Sequence, residues 1–228
     1  MARDVSVRRQ EREVEVPSGA LMLKGILGVP EGAKGVVAFA HGSGSGRFSP
    51  RNNFVARELQ AGGFATLLMD LLSEAEAQSR RAVFDVDLLA SRLLDATDWL
   101  KQQPATRGLP IGYFGASTGA AAALEAAAQL GPAIGAVVSR GGRPDLAAKY
   151  LAQVTAPTLL IVGEHDEPVI ALNEMALRLL RAPKRLVIVP GATHLFEEPG
   201  ALEEVARLAL DWFDRYLARQ SRPEARAS

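Results

Sequence analysis

Short apolar runs alternate with longer amphipathic stretches along this chain. Val36–Ala40, Ala65–Met69, Ile111–Gly115, Ala133–Ser139, Pro157–Val162 and Arg185–Val189 are nearly continuous apolar segments of strand length. That is the pattern of strands buried on both faces. Two earlier segments, Glu11–Pro17 and Leu21–Val29, flank Ser18-Gly19 and read as an antiparallel hairpin. From Phe84 to Gln103, Val86, Leu89, Leu93, Ala96 and Leu100 recur every three or four residues, and Pro104 follows. This predicts one amphipathic helix with a marked end. Ala201–Leu217 carries the same stripe in Leu202, Val205, Leu208, Trp212, Phe213 and Tyr216. Trp99 and Trp212 fall within these stripes and read as packing residues.

Strands alternating with helices predict an α/β fold: a mostly parallel sheet of about eight strands with helices on both faces. In such sheets ligands bind beyond the carboxyl ends of the strands. The loops that follow the apolar runs are therefore the places to look for chemistry. The chain length of 228 residues fits one such domain, with a core from about 13 to 217 and flexible flanks at 1–12 and 221–228.

Composition narrows the chemistry. There is no cysteine, which excludes disulfides, thiolate metal sites and a cysteine nucleophile. Acidic and basic residues balance at 26 each, so no overall field draws nucleic acid or an anionic membrane. The opening MARDVSVRRQER is charged and lacks a signal-peptide core, and no apolar run reaches the roughly 18 residues of a spanning helix. A cytoplasmic location is the expectation.

The most telling motif is Gly115-Ala116-Ser117-Thr118-Gly119, directly after the run Ile111–Phe114 and directly before the Ala-rich stretch Ala120–Leu130. The five-residue pattern alone is weak evidence. Strand before and helix after make it the context of a nucleophile elbow, with Ser117 exposed at the top of the sheet. A serine hydroxyl needs a base, and the base needs an orienting acid. Of three histidines, His194 follows the last apolar run, in Pro190-Gly191-Ala192-Thr193-His194-Leu195-Phe196, and is the candidate base. Asp166, in Gly163-Glu164-His165-Asp166-Glu167-Pro168, follows the preceding run and is the candidate acid. Glu164 and Glu167 compete with it, and an acidic residue before Pro168 also suits a helix start.

An oxyanion needs two backbone donors. Thr118 N–H, at the helix start, is one. The loop His41-Gly42-Ser43-Gly44-Ser45-Gly46, after the run Val36–Ala40, supplies the other, with Ser43 N–H as the candidate and Gly44 as the alternative. His41 reads as a structural group, and Asp70 as a loop or capping residue. That loop lacks the spacing of a phosphate-binding motif. Arg140 and Arg143, in Arg140-Gly141-Gly142-Arg143-Pro144-Asp145, open on the same face and are candidates for binding a substrate carboxylate; bracing their own loop is the competing role.

Assembled, the motifs HGSGSG, GASTGA, SRGGRPDL, LLIVGEHD and VPGATHLFEEPGAL make the chain resemble the α/β-hydrolase superfamily, and within it the small bacterial proteins grouped with the dienelactone hydrolase family. The likeness runs from about Glu13 to Leu217. It implies the α/β-hydrolase fold and hydrolysis of small esters without metal or organic cofactor. The family's namesakes use a cysteine nucleophile, and here Ser117 holds that position, so generic ester hydrolysis is implied more firmly than dienelactone hydrolysis. Relatives of this group are sometimes joined to a phosphoribosyltransferase domain, whose motif this chain lacks. The spacing from Asp70 to Phe84 and from Ser139 to Pro157 leaves no room for an inserted cap domain, with one short helix in the latter. A shallow, open site favouring short acyl groups is expected. A non-catalytic interaction protein on the same fold, or amide hydrolysis and acyl transfer by the same triad, are the competing readings.

Overall fold

The computed structural model describes residues 10–218. Eight strands form one sheet: β1 (Gln10–Ser18), β2 (Leu21–Val29), β3 (Val36–Ala40), β4 (Ala65–Met69), β5 (Ile111–Ala116), β6 (Ile134–Arg140), β7 (Thr158–Gly163) and β8 (Lys184–Val189). Their order across the sheet is β1-β2-β4-β3-β5-β6-β7-β8. β1 pairs antiparallel with β2 and β2 with β4, while β4 through β8 run parallel. The expected hairpin and six later strands are all present, with ends shifted by at most a residue or two.

Among the described residues there are seven α-helices, six between strands and the last after β8: α1 (Pro50–Ala61), α2 (Glu74–Ala77), α3 (Arg80–Val83), α4 (Val86–Gln102), α5 (Thr118–Leu130), α6 (Glu167–Leu179) and α7 (Ala201–Tyr216). The sheet separates two apolar clusters. One joins α4 and α5 to Val36, Ala38, Tyr113 and Val137. The other joins α1 and α7 to Val37, Phe39, Phe114 and Val138. Neighbouring strand residues face opposite ways, which is why nearly every residue of β3–β7 is apolar. The Ala-rich α5 is buried from Thr118 to Ala127, where small side chains let it lie close under the sheet.

Two expectations are corrected. Residues 10–12, placed in the flexible flank although the hairpin was expected to start at Glu11, are strand, because β2 is long enough to give Gln10, Glu11 and Arg12 the partners Val29, Gly28 and Leu27. The rest of the expected flexible ends, 1–9 and 221–228, lies outside the described residues. The β6–β7 connection holds two single 3-10 turns, Pro144–Ala147 and Leu151–Gln153, in place of one short helix. After β4, α2 and α3 wall a cavity. Among the described residues no helix is long and apolar enough to cross a membrane.

Candidate active site

The strand order reverses between β3 and β5, and the loops leaving those two strands part in opposite directions. That opens a crevice at their carboxyl ends. Ser117 follows β5 at the rim of this crevice, with φ 52° and ψ −122°, a region in which non-glycine residues are strained. The strain turns the side chain out of the tight passage from β5 into α5. The flanking glycines are sterically required: a Cβ on Gly115 would lie 2.4 Å from Ala120 Cα, and one on Gly119 2.1 Å from the Ala40 carbonyl oxygen. Ser117 is further fixed through its backbone. Its N–H donates to Arg140 O (3.2 Å), and its carbonyl accepts from Arg143 N–H (3.0 Å).

Asp166 occupies the N-cap position of α6 but makes no side-chain cap there. Its Oδ2 lies 2.6 Å from His194 Nδ1 instead. The competing helix-start role therefore does not claim the carboxylate. Of the rival acids, Glu164 accepts from Gly191 N–H at 2.7 Å and Glu167 is exposed. His165 is also exposed. The His194 ring packs against Gly141, where an added Cβ would stand 3.4 Å from its Nδ1 and Cε1. Gly141 directly follows Arg140, the residue that holds the Ser117 backbone. The Ser117 hydroxyl makes no hydrogen bond among the described residues; contacts between a nucleophile and its base are often long before substrate arrives.

Phe196 was not singled out by sequence. It has φ 56°, uncommon for a bulky residue, and is 1 % exposed. Its buried ring anchors the loop two residues beyond His194. No local sequence signal announces a strained phenylalanine.

The loop after β3 meets Ser117 at Gly42, where an added Cβ would lie 2.9 Å from Ser117 Cβ. Ser43 N–H comes next along the chain, and Thr118 N–H opens α5. His41 braces this loop. Its Nε2 accepts from Leu71 N–H (2.9 Å), so Nδ1 carries the proton and donates to Gly42 O (2.9 Å). Asp70 accepts from the Arg47 backbone N–H at 2.7 Å and pairs with the Arg47 guanidinium. Both residues take the structural roles expected of them.

Burial lowers the His41 pKa below 6.5, against smaller upward effects from the Gly42 contact and the Asp70 charge. The unfolded chain then gains this proton near pH 6.5, whereas the folded chain gains it only at lower pH. The contribution to stability is complete above pH 6.5 and is lost as the pH falls below it. Chemical denaturation at pH 7 and pH 5 is expected to show a larger loss for the wild type than for His41→Gln, with a difference of up to about 1.4 kcal/mol per pH unit.

Beside this loop lies a cavity of about 710 Å³, lined among others by Leu23, Ser43, Leu72, Ala75, Val83 and Leu89. Ser117 stands at its edge, against Gly42, outside its wall. Asp166 and His194 are likewise absent from its lining. The segment after β4 is short, yet α2 is held by a capping box between Ser73 and Glu76 and by Arg92 Nη2 on Glu76 (2.9 Å).

The structure separates the two arginine candidates. Arg143 closes on Asp145 with two contacts of 2.9 and 2.8 Å, so its fork is occupied within its own loop. Arg140 is 7 % exposed, and its Nε and Nη1 are enclosed without a hydrogen-bond partner.

This fold, with a strained serine turn between strand and helix, defines an α/β-hydrolase. The chain belongs to the dienelactone hydrolase family, whose model matches residues 23–217. A dienelactone hydrolase of known structure from Anabaena variabilis is 59 % identical and superposes with a TM-score of 0.90, over 92 % of this chain and 99 % of that one. A Mycobacterium tuberculosis protein, provisionally named a phosphoribosyl transferase, is 57 % identical over 208 residues, which are 91 % of this chain and 47 % of that protein. The chain thus spans about half the length of the curated relatives it matches. An esterase from Pyrococcus furiosus shares the fold at 18 % identity, with a TM-score of 0.75 over 92 % of this chain and 94 % of that one.

Proposed function

We propose that this chain acts as a serine carboxylesterase on small, short-acyl esters through an acyl-enzyme. The observation that carries this reading is the strained Ser117 elbow, with the Asp166–His194 pair on the loops after β7 and β8. His194 takes the Ser117 proton as Oγ bonds to the ester carbonyl carbon. Thr118 N–H and Ser43 N–H receive the charge that forms on the carbonyl oxygen. The carbon–oxygen bond to the alcohol breaks, and the alcohol leaves with the proton from His194. Water then gives a proton to His194 and its oxygen to the carbonyl carbon, and Ser117 departs with the proton. Asp166 holds the His194 tautomer and stabilises the imidazolium.

The esterase and dienelactone hydrolase relatives support hydrolysis. The cavity beside the Gly42 loop, about 710 Å³, lies in the size range of small-ligand pockets, which supports small substrates. The phosphoribosyl transferase name supports no second reading. This chain matches only 47 % of that protein, and its own sequence lacks the corresponding motif. A panel of 4-nitrophenyl esters of rising acyl length tests the proposal. The kcat/KM is expected to peak at short acyl chains; faster turnover of long-chain triglycerides than of these esters would overturn it.

A further inference from the structure

The two edges of the sheet are built differently. β1 and β8 are its outermost strands. β1 sets Glu11, Glu13 and Glu15 on alternate positions and follows them with Pro17; repeated like charges and a proline deter a further strand. From Leu186 to Val189, β8 carries no charge and no proline. Its bonds to β7 show which of its groups are left over. Thr158 N–H donates to Pro183 O (2.8 Å) and Glu164 N–H to Val189 O (3.0 Å). Inward and outward residues alternate along a parallel pair, so Lys184, Leu186 and Ile188 turn their N–H and C=O groups away from β7. Among the described residues nothing bonds to the outward groups of Leu186 and Ile188.

An apolar stripe lies beside this edge. α6 covers the same face of the sheet as Leu186, which packs against the cluster holding Ala176 of that helix. One flank of α6 faces the middle of the sheet, where Asn173 donates to Gly142 O (3.0 Å) in the loop after β6. Leu172, Met175 and Leu179, three and four residues apart, lie on the opposite flank, on the side of the open edge of β8. Met175 and Leu179 are 41 % and 43 % exposed. The charges divide by end. Arg178, Arg181, Lys184 and Arg185 stand where α6 stops and β8 starts, and Glu164 and Glu167 stand at the other end; all six are exposed.

We propose that this surface binds a second copy of the chain, β8 pairing antiparallel with its mate about a two-fold axis normal to the sheet. The proposal stands apart from the esterase reading and goes beyond it. Such an axis makes the patch its own partner. Centred on Leu186, the pairing sets Lys184 opposite the partner's Ile188 and satisfies the outward N–H and C=O groups of all three residues. It keeps both α6 helices on one face of the joined sheet, antiparallel, with their apolar stripes in contact. It also brings the basic end of each copy to the acidic end of the other, whereas a parallel sense would set like charges together. An unrelated extended peptide would occupy β8 and leave the α6 stripe uncovered, so a second copy is the occupant that fits the whole surface.

Sedimentation equilibrium of the full chain, with hydrogen exchange of β8, tests this. The mass is expected to rise with concentration to twice the 24.3 kDa of one chain. The Leu186 and Ile188 amides are expected to exchange at least about 10-fold more slowly in the dimer than in the dilute monomer. Met175→Glu with Leu179→Glu places charges against their mates and is expected to raise the dimer Kd at least about 10-fold; both positions are exposed, so the monomer stays folded by circular dichroism. Ile188→Pro removes an outward N–H without touching the bonds to β7 and is expected to weaken association likewise. Should Ile188→Pro fail to fold, the α6 variant carries the same test. Arg178→Glu is expected to weaken the dimer, and Arg178→Glu with Glu167→Arg to restore it, since each end then again meets its opposite. A chain that stays monomeric at ~200 µM would overturn the proposal. So would a dimer that survives the α6 and β8 substitutions, one whose Leu186 and Ile188 amides exchange as fast as in the monomer, or a double charge reversal that restores nothing.

Discussion

Replacing Ser117 with Ala is expected to lower kcat for short-acyl esters by on the order of 10⁴-fold or more while the protein stays folded. The variant loses the bond-forming oxygen and keeps the oxyanion donors and the cavity, so a small residual rate above that in water is expected. Steady-state turnover of 4-nitrophenyl butyrate, with circular dichroism as the check on folding, measures both. The backbone offers a second readout. At φ 52° and ψ −122°, glycine is at ease and alanine is not. Ser117→Gly is therefore expected to melt at a higher temperature than Ser117→Ala, by the equivalent of about 1 kcal/mol or more. Equal melting temperatures would mean that the elbow holds no strain.

Asp166→Asn is expected to cost on the order of 10³–10⁴-fold in kcat, with KM little changed. The carboxylate 2.6 Å from His194 Nδ1 is what keeps the proton on that nitrogen and leaves Nε2 free to act as base. An amide in its place can present an N–H to Nδ1 and favour the wrong tautomer. Glu164→Gln is the matching control. Its side-chain oxygen still accepts the Gly191 N–H, and its rate is expected to stay within about threefold of wild type. If Glu164→Gln lost as much rate as Asp166→Asn, the acid would be misassigned.

The two substitutions also mark how far sequence could be read. The positions of Ser117 and Asp166 were legible because each lies within a few residues of the end of an apolar run, and the end of a buried strand fixes a position in space. The glycines flanking Ser117 were legible for the same reason, and the close approaches of Ala120 and Ala40 supply the steric cause. The wall formed by α2 and α3 was not. Four residues hold barely one helical turn, too few for any periodicity, and the clamp of Arg92 on Glu76 joins residues 16 apart. The edge strand was also read short at its start. It starts one residue earlier, at Gln10, a polar residue whose pairing with Val29 depends on the length of β2 rather than on its own pattern. Arg140 and Arg143 look alike in sequence. What separates them is tertiary: one folds back onto Asp145, and the other is enclosed against the α1 side of the sheet with nothing to bind. Phe196 shows the same limit: its positive φ lies in the loop after β8 that also carries His194, and nothing in its own residue type announces it.

Covalent labelling by a fluorophosphonate, read by intact-protein mass and peptide mapping, addresses the account at its centre. Such a probe reacts with a serine only where base and oxyanion donors are assembled around it. The expected result is one adduct per chain, on the peptide containing Ser117, absent from Ser117→Ala and strongly slowed in His194→Ala. Folded wild-type protein that takes no label, or takes it on another residue, would contradict the assignment of Ser117 as the nucleophile.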